Sequence, residues 1–114
     1  MKIESFNEEL NFSDEKIITK VVLESSFSKE IRILLKKGQI MKEHKTPYSI
    51  VVHIIDGEIG FGVNGFTKHL KKGDIITLAG NVPHNLDAKS NSIVRLTLSK
   101  YDKAERVEEV AKTS

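Results

Sequence analysis

The stretch Gly38-Gln39-Ile40-Met41-Lys42-Glu43-His44-Lys45-Thr46-Pro47 runs on through Tyr48-Ser49-Ile50-Val51-Val52-His53-Ile54-Ile55 to Asp56-Gly57. Tyr48 to Ile55 is almost continuously apolar and rich in β-branched residues. That is the pattern of a strand covered on both faces. Glycines bracket the whole stretch, and glycine turns a chain without steric cost. The plan repeats downstream: Gly73-Asp74 opens a strand over Ile75 to Ala79, and Gly80-Asn81 leads to Val82-Pro83-His84. Each half combines a glycine turn, a strand and a histidine.

Outward from these two halves, the other segments also read as short strands. Lys16 to Ser25 carries a β-branched run, Ile17, Ile18, Thr19, Val21 and Val22. Glu30 to Lys36 alternates, with Ile31, Ile33 and Leu35 on one face, Arg32 and Lys36 on the other, and Leu34 as the exception. Asp56-Gly57 predicts a hairpin into a return strand, Glu58 to Val63. Asn64-Gly65 predicts a type I′ hairpin into Phe66 to Leu70. Pro83 to Ala88 and Ser92 to Leu98 complete the set. Short strands at this spacing predict an all-β sandwich or small barrel. Ala104, Val107, Val110 and Ala111 fall at helical spacing within Tyr101 to Lys112, which predicts a short amphipathic helix. Residues 1–15 are polar around isolated Phe6, Leu10 and Phe12, and read as an N-terminal arm or edge strand. The organisation is an arm (1–15), a barrel (16–100) and a C-terminal helix and tail (101–114).

A chain of 114 residues fits one hydrophobic core. Hydrophobic residues at 39% and charged residues at 30% are an ordinary globular balance, so disorder is expected only at the ends. The formal net charge is +2, and the lysines scatter in pairs beside turns rather than forming a basic face, so a nucleic-acid partner is not expected. The absence of cysteine excludes thiolate and disulfide chemistry. No apolar run approaches membrane-spanning length, and the acidic N-terminus does not read as a signal peptide. The expected location is cytoplasmic, with no membrane partner.

The frame Gly38…His44, Asp56-Gly57, Gly73-Asp74 and Pro83-His84 resembles the two signature motifs of the cupin superfamily. The resemblance is closest to very small bacterial cupins with a His-Lys-Thr-Pro segment in the first motif. It implies an all-β fold, a small antiparallel double-stranded β-helix or jelly-roll barrel, here with a short C-terminal α-helix. It also implies a homodimer, since small cupins commonly pair, often by sharing an N-terminal strand. Metal-carrying cupins hold a divalent ion such as Fe, Mn, Ni or Zn with three histidines and one glutamate. By that resemblance His44 and His84 occupy two ligand positions, while Thr46 replaces a histidine and Ile50 replaces the glutamate. Ala88 stands where the second motif has asparagine.

Two imidazoles without a carboxylate make a weak site for such ions. His53 does not supply the missing ligand, because strand alternation puts it on the face opposite Ile50, Val52 and Ile54. His69 reads as a surface residue. The leading expectation is therefore a metal-free pocket lined by His44, Thr46, Ile50, Val52, His84 and Leu86 that binds a small molecule. One alternative is a metal-dependent dioxygenase, isomerase or epimerase using His44 and His84. Another is an accessory protein with a vestigial pocket, which would show a filled barrel.

Overall fold

The computed structural model describes residues 1–114. It contains nine strands and one helix. The strands are β1 (Ile18–Glu24), β2 (Ser28–Leu35), β3 (Ile40–His44), β4 (Ile50–Asp56), β5 (Glu58–Val63), β6 (Phe66–Lys71), β7 (Ile75–Leu78), β8 (His84–Ala88) and β9 (Ser92–Ser99). The helix is α1 (Ala104–Thr113). One sheet has the order β1-β2-β9-β4-β7 and the other β3-β8-β5-β6. Every pairing is antiparallel. This is the all-β jelly roll expected from the sequence.

Alternation builds the core. Ile31, Ile33 and Leu35 of β2, Ile50, Val52 and Ile54 of β4, and Val94, Leu96 and Leu98 of β9 face inward from the first sheet. Met41, Ile59, Phe61, Leu86 and Ala88 meet them from the second. Val107 and Ala111 of α1 join the same cluster, and α1 packs against β1 and β3. The helix thus covers a seam where the two sheets end. No helix is long and apolar enough to cross a membrane.

The Asp56-Gly57 turn is not the expected hairpin. β4 pairs with β7 and β9, whereas β5 pairs with β6 and β8. The dipeptide is therefore the corner at which the chain leaves one sheet for the other. Gly57 has φ +93°, and a Cβ there would lie 2.3 Å from Ser92 Oγ and 2.5 Å from the Asn91 carbonyl oxygen. Ser92 Oγ in turn accepts the Glu58 N–H at 3.2 Å and donates to the Ser90 carbonyl at 2.8 Å. Asn64-Gly65 does join β5 to β6, with both residues at positive φ (52° and 77°), as a type I′ turn requires.

Strand β3 was not legible as a separate strand. Its register shifts between Met41 and His44, where Lys42 and Glu43 form a bulge. A bulge breaks the two-residue period by which a strand is recognised. Residues 1–15 form no strand. The segment crosses the outer face of the β1-β2-β9-β4-β7 sheet. The Arg32 guanidinium donates to the carbonyls of Glu8 (2.5 Å) and Glu9 (3.3 Å), and the Gln39 amide donates to that of Ser13 (2.8 Å). Phe6 lies under Arg95, 5.6 Å from the guanidinium carbon. On the same face Glu30 accepts hydrogen bonds from Ser28 Oγ (2.7 Å), Thr97 Oγ1 (2.5 Å) and Arg95 Nε (2.9 Å). Burial alone would raise the Glu30 carboxyl. Those hydrogen bonds and the Arg95 charge outweigh it and hold the carboxyl below its ordinary value.

Candidate functional site

The bulge in β3 brings the two motif histidines together. It turns His44 inward, directly opposite His84 on the neighbouring strand β8. The ring centroids are 4.3 Å apart and the planes are tilted by 59°. Phe61 of β5 stacks on His84 at 5.6 Å with an interplanar angle of 13°. Val63 is the cross-strand partner of His84 on the other side.

Both rings are tethered in the same way. His44 Nδ1 lies 2.8 Å from the Lys42 carbonyl oxygen, and His84 Nδ1 lies 2.9 Å from that of Val82. A carbonyl can only accept, so each neutral ring carries its proton on Nδ1 and its lone pair on Nε2. The hydrogen bonds of both rings go to these carbonyls alone. The one buried side-chain nitrogen or oxygen without a partner is Arg32 Nε, on the far face. His84 Nε2 therefore reaches solvent at the barrel mouth although its residue is only 3% exposed.

Burial pushes the pKa of both histidines below the ordinary imidazole value. At His44 the hydrogen bond to the Lys42 carbonyl pulls partly back up, and the neighbouring His84 pushes further down. At His84 the Val82 carbonyl and the negative Glu43 pull partly back. Both rings are consequently neutral at neutral pH. The arrangement presents two imidazole acceptors side by side.

The remaining expected pocket residues divide into two groups. Ile50, Val52 and Leu86 are inward, but they are packed, at 3%, 2% and 3% exposure, and belong to the core cluster with Phe61. They form an apolar floor rather than the walls of an open cavity. None of the main clefts is lined by His44 or His84. The Thr46 hydroxyl donates to the Asp102 carboxylate, and its oxygen also accepts the Tyr48 N–H at 3.2 Å. β3 ends at His44, so strand alternation no longer governs the residue two places on. Pro47 completes the turn. His53 is on the outer face of β4, and His69 is exposed, 3.1 Å from the Glu58 carboxylate.

Asp102 is the site residue that sequence reasoning missed. It is 2% exposed and takes hydrogen bonds from Thr46 Oγ1, the Lys103 N–H (2.8 Å) and the Arg106 guanidinium. A signal was present. An aspartate just before a helix with an arginine four residues on is a helix-start ion pair.

The donor set bears on how the residues fit a resident metal. Two imidazole nitrogens face the mouth, Ile50 offers only methyl and methylene groups, and the Thr46 hydroxyl is committed elsewhere. No group of three or more His, Cys, Asp or Glu side chains converges anywhere in the chain. These residues do not fit a site for Fe, Mn, Ni or Zn, which need further nitrogen, sulfur or carboxylate ligands.

Residues 31–100 match the cupin domain family. The chain belongs to the cupin family. Solved cupins share its fold. An RmlC-like cupin from Desulfovibrio desulfuricans is 22% identical, with 87% of this chain and 96% of that one covered and a TM-score of 0.79. A conserved protein with a double-stranded β-helix domain from Klebsiella pneumoniae is 25% identical over 87% and 89% of the two chains, with a TM-score of 0.75. A conserved protein of unknown function from Streptococcus pyogenes is 20% identical over 90% of both, with a TM-score of 0.74. No curated protein matches the chain. In this cupin the motif glycines still do structural work. The Gly38 N–H donates to the Ala88 carbonyl and the Gly73 N–H to the Ile54 carbonyl, each at 2.8 Å.

Proposed function

We propose that this cupin binds a small molecule at the barrel mouth through His44 and His84, without a resident metal. The observation that carries the reading is the paired geometry of the two rings. Both are neutral, both have Nδ1 satisfied by a backbone carbonyl, and both have Nε2 left as an acceptor. Their complement is a ligand with adjacent O–H or N–H donors and an apolar part that rests on the half-buried Val63 beside the rings. Such a ligand seats over the packed floor instead of entering an internal cavity. A polar group in a mostly apolar setting fixes orientation, and the apolar contact supplies affinity.

The test is a thermal-shift screen of chelator-treated protein against polyols, sugars, amides and amines. A ligand at one hundred times its dissociation constant adds about 2.7 kcal/mol of stability. The expected result is a compound that raises the melting temperature of the wild type and not of His44→Ala or His84→Ala. Elemental analysis of untagged protein accompanies the screen. Near-stoichiometric metal that disappears in both variants would replace this reading with metal-dependent chemistry.

The close packing of Ile50, Val52, Leu86 and Phe61 favours a second reading, an accessory protein whose pocket is vestigial. It expects the screen to yield nothing, and His84→Ala to alter stability only.

A further inference from the structure

Beyond the His44–His84 strand pair, the segment after His44 and the loop before His84 are fastened to each other at Thr46. The Thr46 carbonyl accepts the Asn81 N–H at 2.7 Å. Asn81 precedes Val82, whose carbonyl holds His84 Nδ1. Beside this junction, Gly80 lies so close to the chain that a Cβ on it would stand 2.3 Å from the Pro47 carbonyl oxygen. The other end of Thr46, its hydroxyl, is held by Asp102. Asp102 is immobilised in turn. Arg106 in the first turn of α1 and the Lys103 N–H hold its carboxylate, and Lys29 Nζ donates to its backbone carbonyl at 2.5 Å.

A buried carboxylate is costly unless its oxygens are filled with donors. Thr46 is one of those donors, so the loop cannot swing outward without leaving Asp102 short. Conversely, movement of α1 at Asp102–Arg106 pulls on a residue that joins the two histidine segments.

We propose that Asp102 is a positioning residue for the His44–His84 pair, acting through Thr46 and tying the pair to helix α1. The proposal deepens the reading of the pair as the binding site and takes its functional meaning from that reading. Its test uses no ligand, so the two can fail separately.

The experiment is long-range nitrogen NMR on the full labelled chain, at a pH above the imidazole range and well below the melting temperature. The wild type should show both rings as the Nδ1–H tautomer and a protected Asn81 amide. Thr46→Val keeps the shape and removes the hydroxyl, and Asp102→Asn keeps the shape and removes the charge. Each should mix the tautomers at both histidines and speed Asn81 exchange about tenfold. Thr46→Ser restores the hydroxyl and should restore both signals. Leu34→Ala, on the far face of the barrel, should lower stability and leave both signals alone. If Thr46→Val does not fold, Arg106→Gln loosens the same carboxylate from its half-exposed side and should shift the tautomers in the same direction. Lowered stability in Asp102→Asn and Arg106→Gln with wild-type tautomers and wild-type Asn81 exchange would overturn the proposal and leave Asp102 a purely structural residue.

Discussion

Gly57→Ala separates strain from collision at the corner between the sheets. A residue with a Cβ at positive φ costs about 1–2 kcal/mol. Gly57 has φ +93°, so this term applies. The added Cβ would also lie 2.3 Å from Ser92 Oγ, 2.5 Å from the Asn91 carbonyl oxygen and 2.7 Å from Ser92 Cα. Two of those atoms are backbone and cannot rotate aside, which adds overpacking of about 1–3 kcal/mol. Displacing Ser92 Oγ forfeits its hydrogen bonds to Glu58 and Ser90, about 1 kcal/mol more. The sum is about 3–6 kcal/mol. For 114 residues the unfolding entropy is about 0.24 kcal/mol/K, so the melting temperature should fall by about 12–25 °C. Gly38 supplies the control. Its φ is +92°, and no atom lies within 4 Å of its would-be Cβ. Gly38→Ala should therefore show strain alone, a fall of about 4–8 °C. The gain from a stiffer unfolded chain is common to both variants and cancels in the comparison. The assay is circular dichroism during heating and in urea. Equal destabilisation of the two variants would refute the close approach at the corner, and with it the placement of β4 and β5 in different sheets.

Acid should destabilise the protein in two windows. His44 and His84 have folded pKa values below their unfolded ones, so the unfolded chain takes up more protons as pH falls. Their contribution is complete above about pH 6.5 and is lost as pH drops through the folded values, at most about 1.4 kcal/mol per pH unit for each ring. A urea midpoint that stays flat between about pH 7 and 5 would contradict the burial of the pair. Glu30 is also depressed, and its contribution is present above the ordinary carboxylate value and lost as pH falls below it. Glu30→Gln should flatten only that lower limb, at a cost near neutrality of about 2 kcal/mol, the half-exposed Arg95 limiting the loss. Removal of residues 2–15 should leave the barrel folded by circular dichroism. It should cost about 2–3 kcal/mol in urea, because Arg32 loses two carbonyl partners and Arg95 loses the Phe6 ring. No change in the urea midpoint would mean the arm does not lie on this face in solution.

The strands were legible because most are continuous and regular. Ile50, Val52 and Ile54 share the inner face and His53 takes the outer one, as alternation requires of an uninterrupted strand. The Asp56-Gly57 corner was misread for a physical reason. A hairpin and a sheet-to-sheet corner make the same local demand, a tight turn with glycine at positive φ. What separates them is whether β4 hydrogen-bonds to β5 or to β7 and β9, and that choice is made by partners as far apart as Ile50 and Leu98. β3 was obscured by its own bulge, which destroys the period that would have announced it.

The bulge also explains why the site was harder to read than the fold. Had β3 continued beyond His44, Thr46 would have shared the inward face that the bulge gives His44. The strand stops at His44, and Thr46 goes where a buried carboxylate needs a donor, to Asp102, 56 residues downstream. Nothing within a few residues of either one encodes that partnership. Strand parity is reliable inside strands and fails at their ends. Chemistry-bearing residues of a β-barrel collect at the ends, because the interior positions are taken by packing. Val52 and Leu86 lie inside strands and Ile50 opens β4, and all three fall on the inner face as alternation requires. His44 and His84 lie at strand termini and meet only through a bulge, and Thr46 lies just beyond one and bonds to Asp102. A change in the loops of this cupin, rather than in its strands, is therefore the shortest route to altering what the histidine pair can hold.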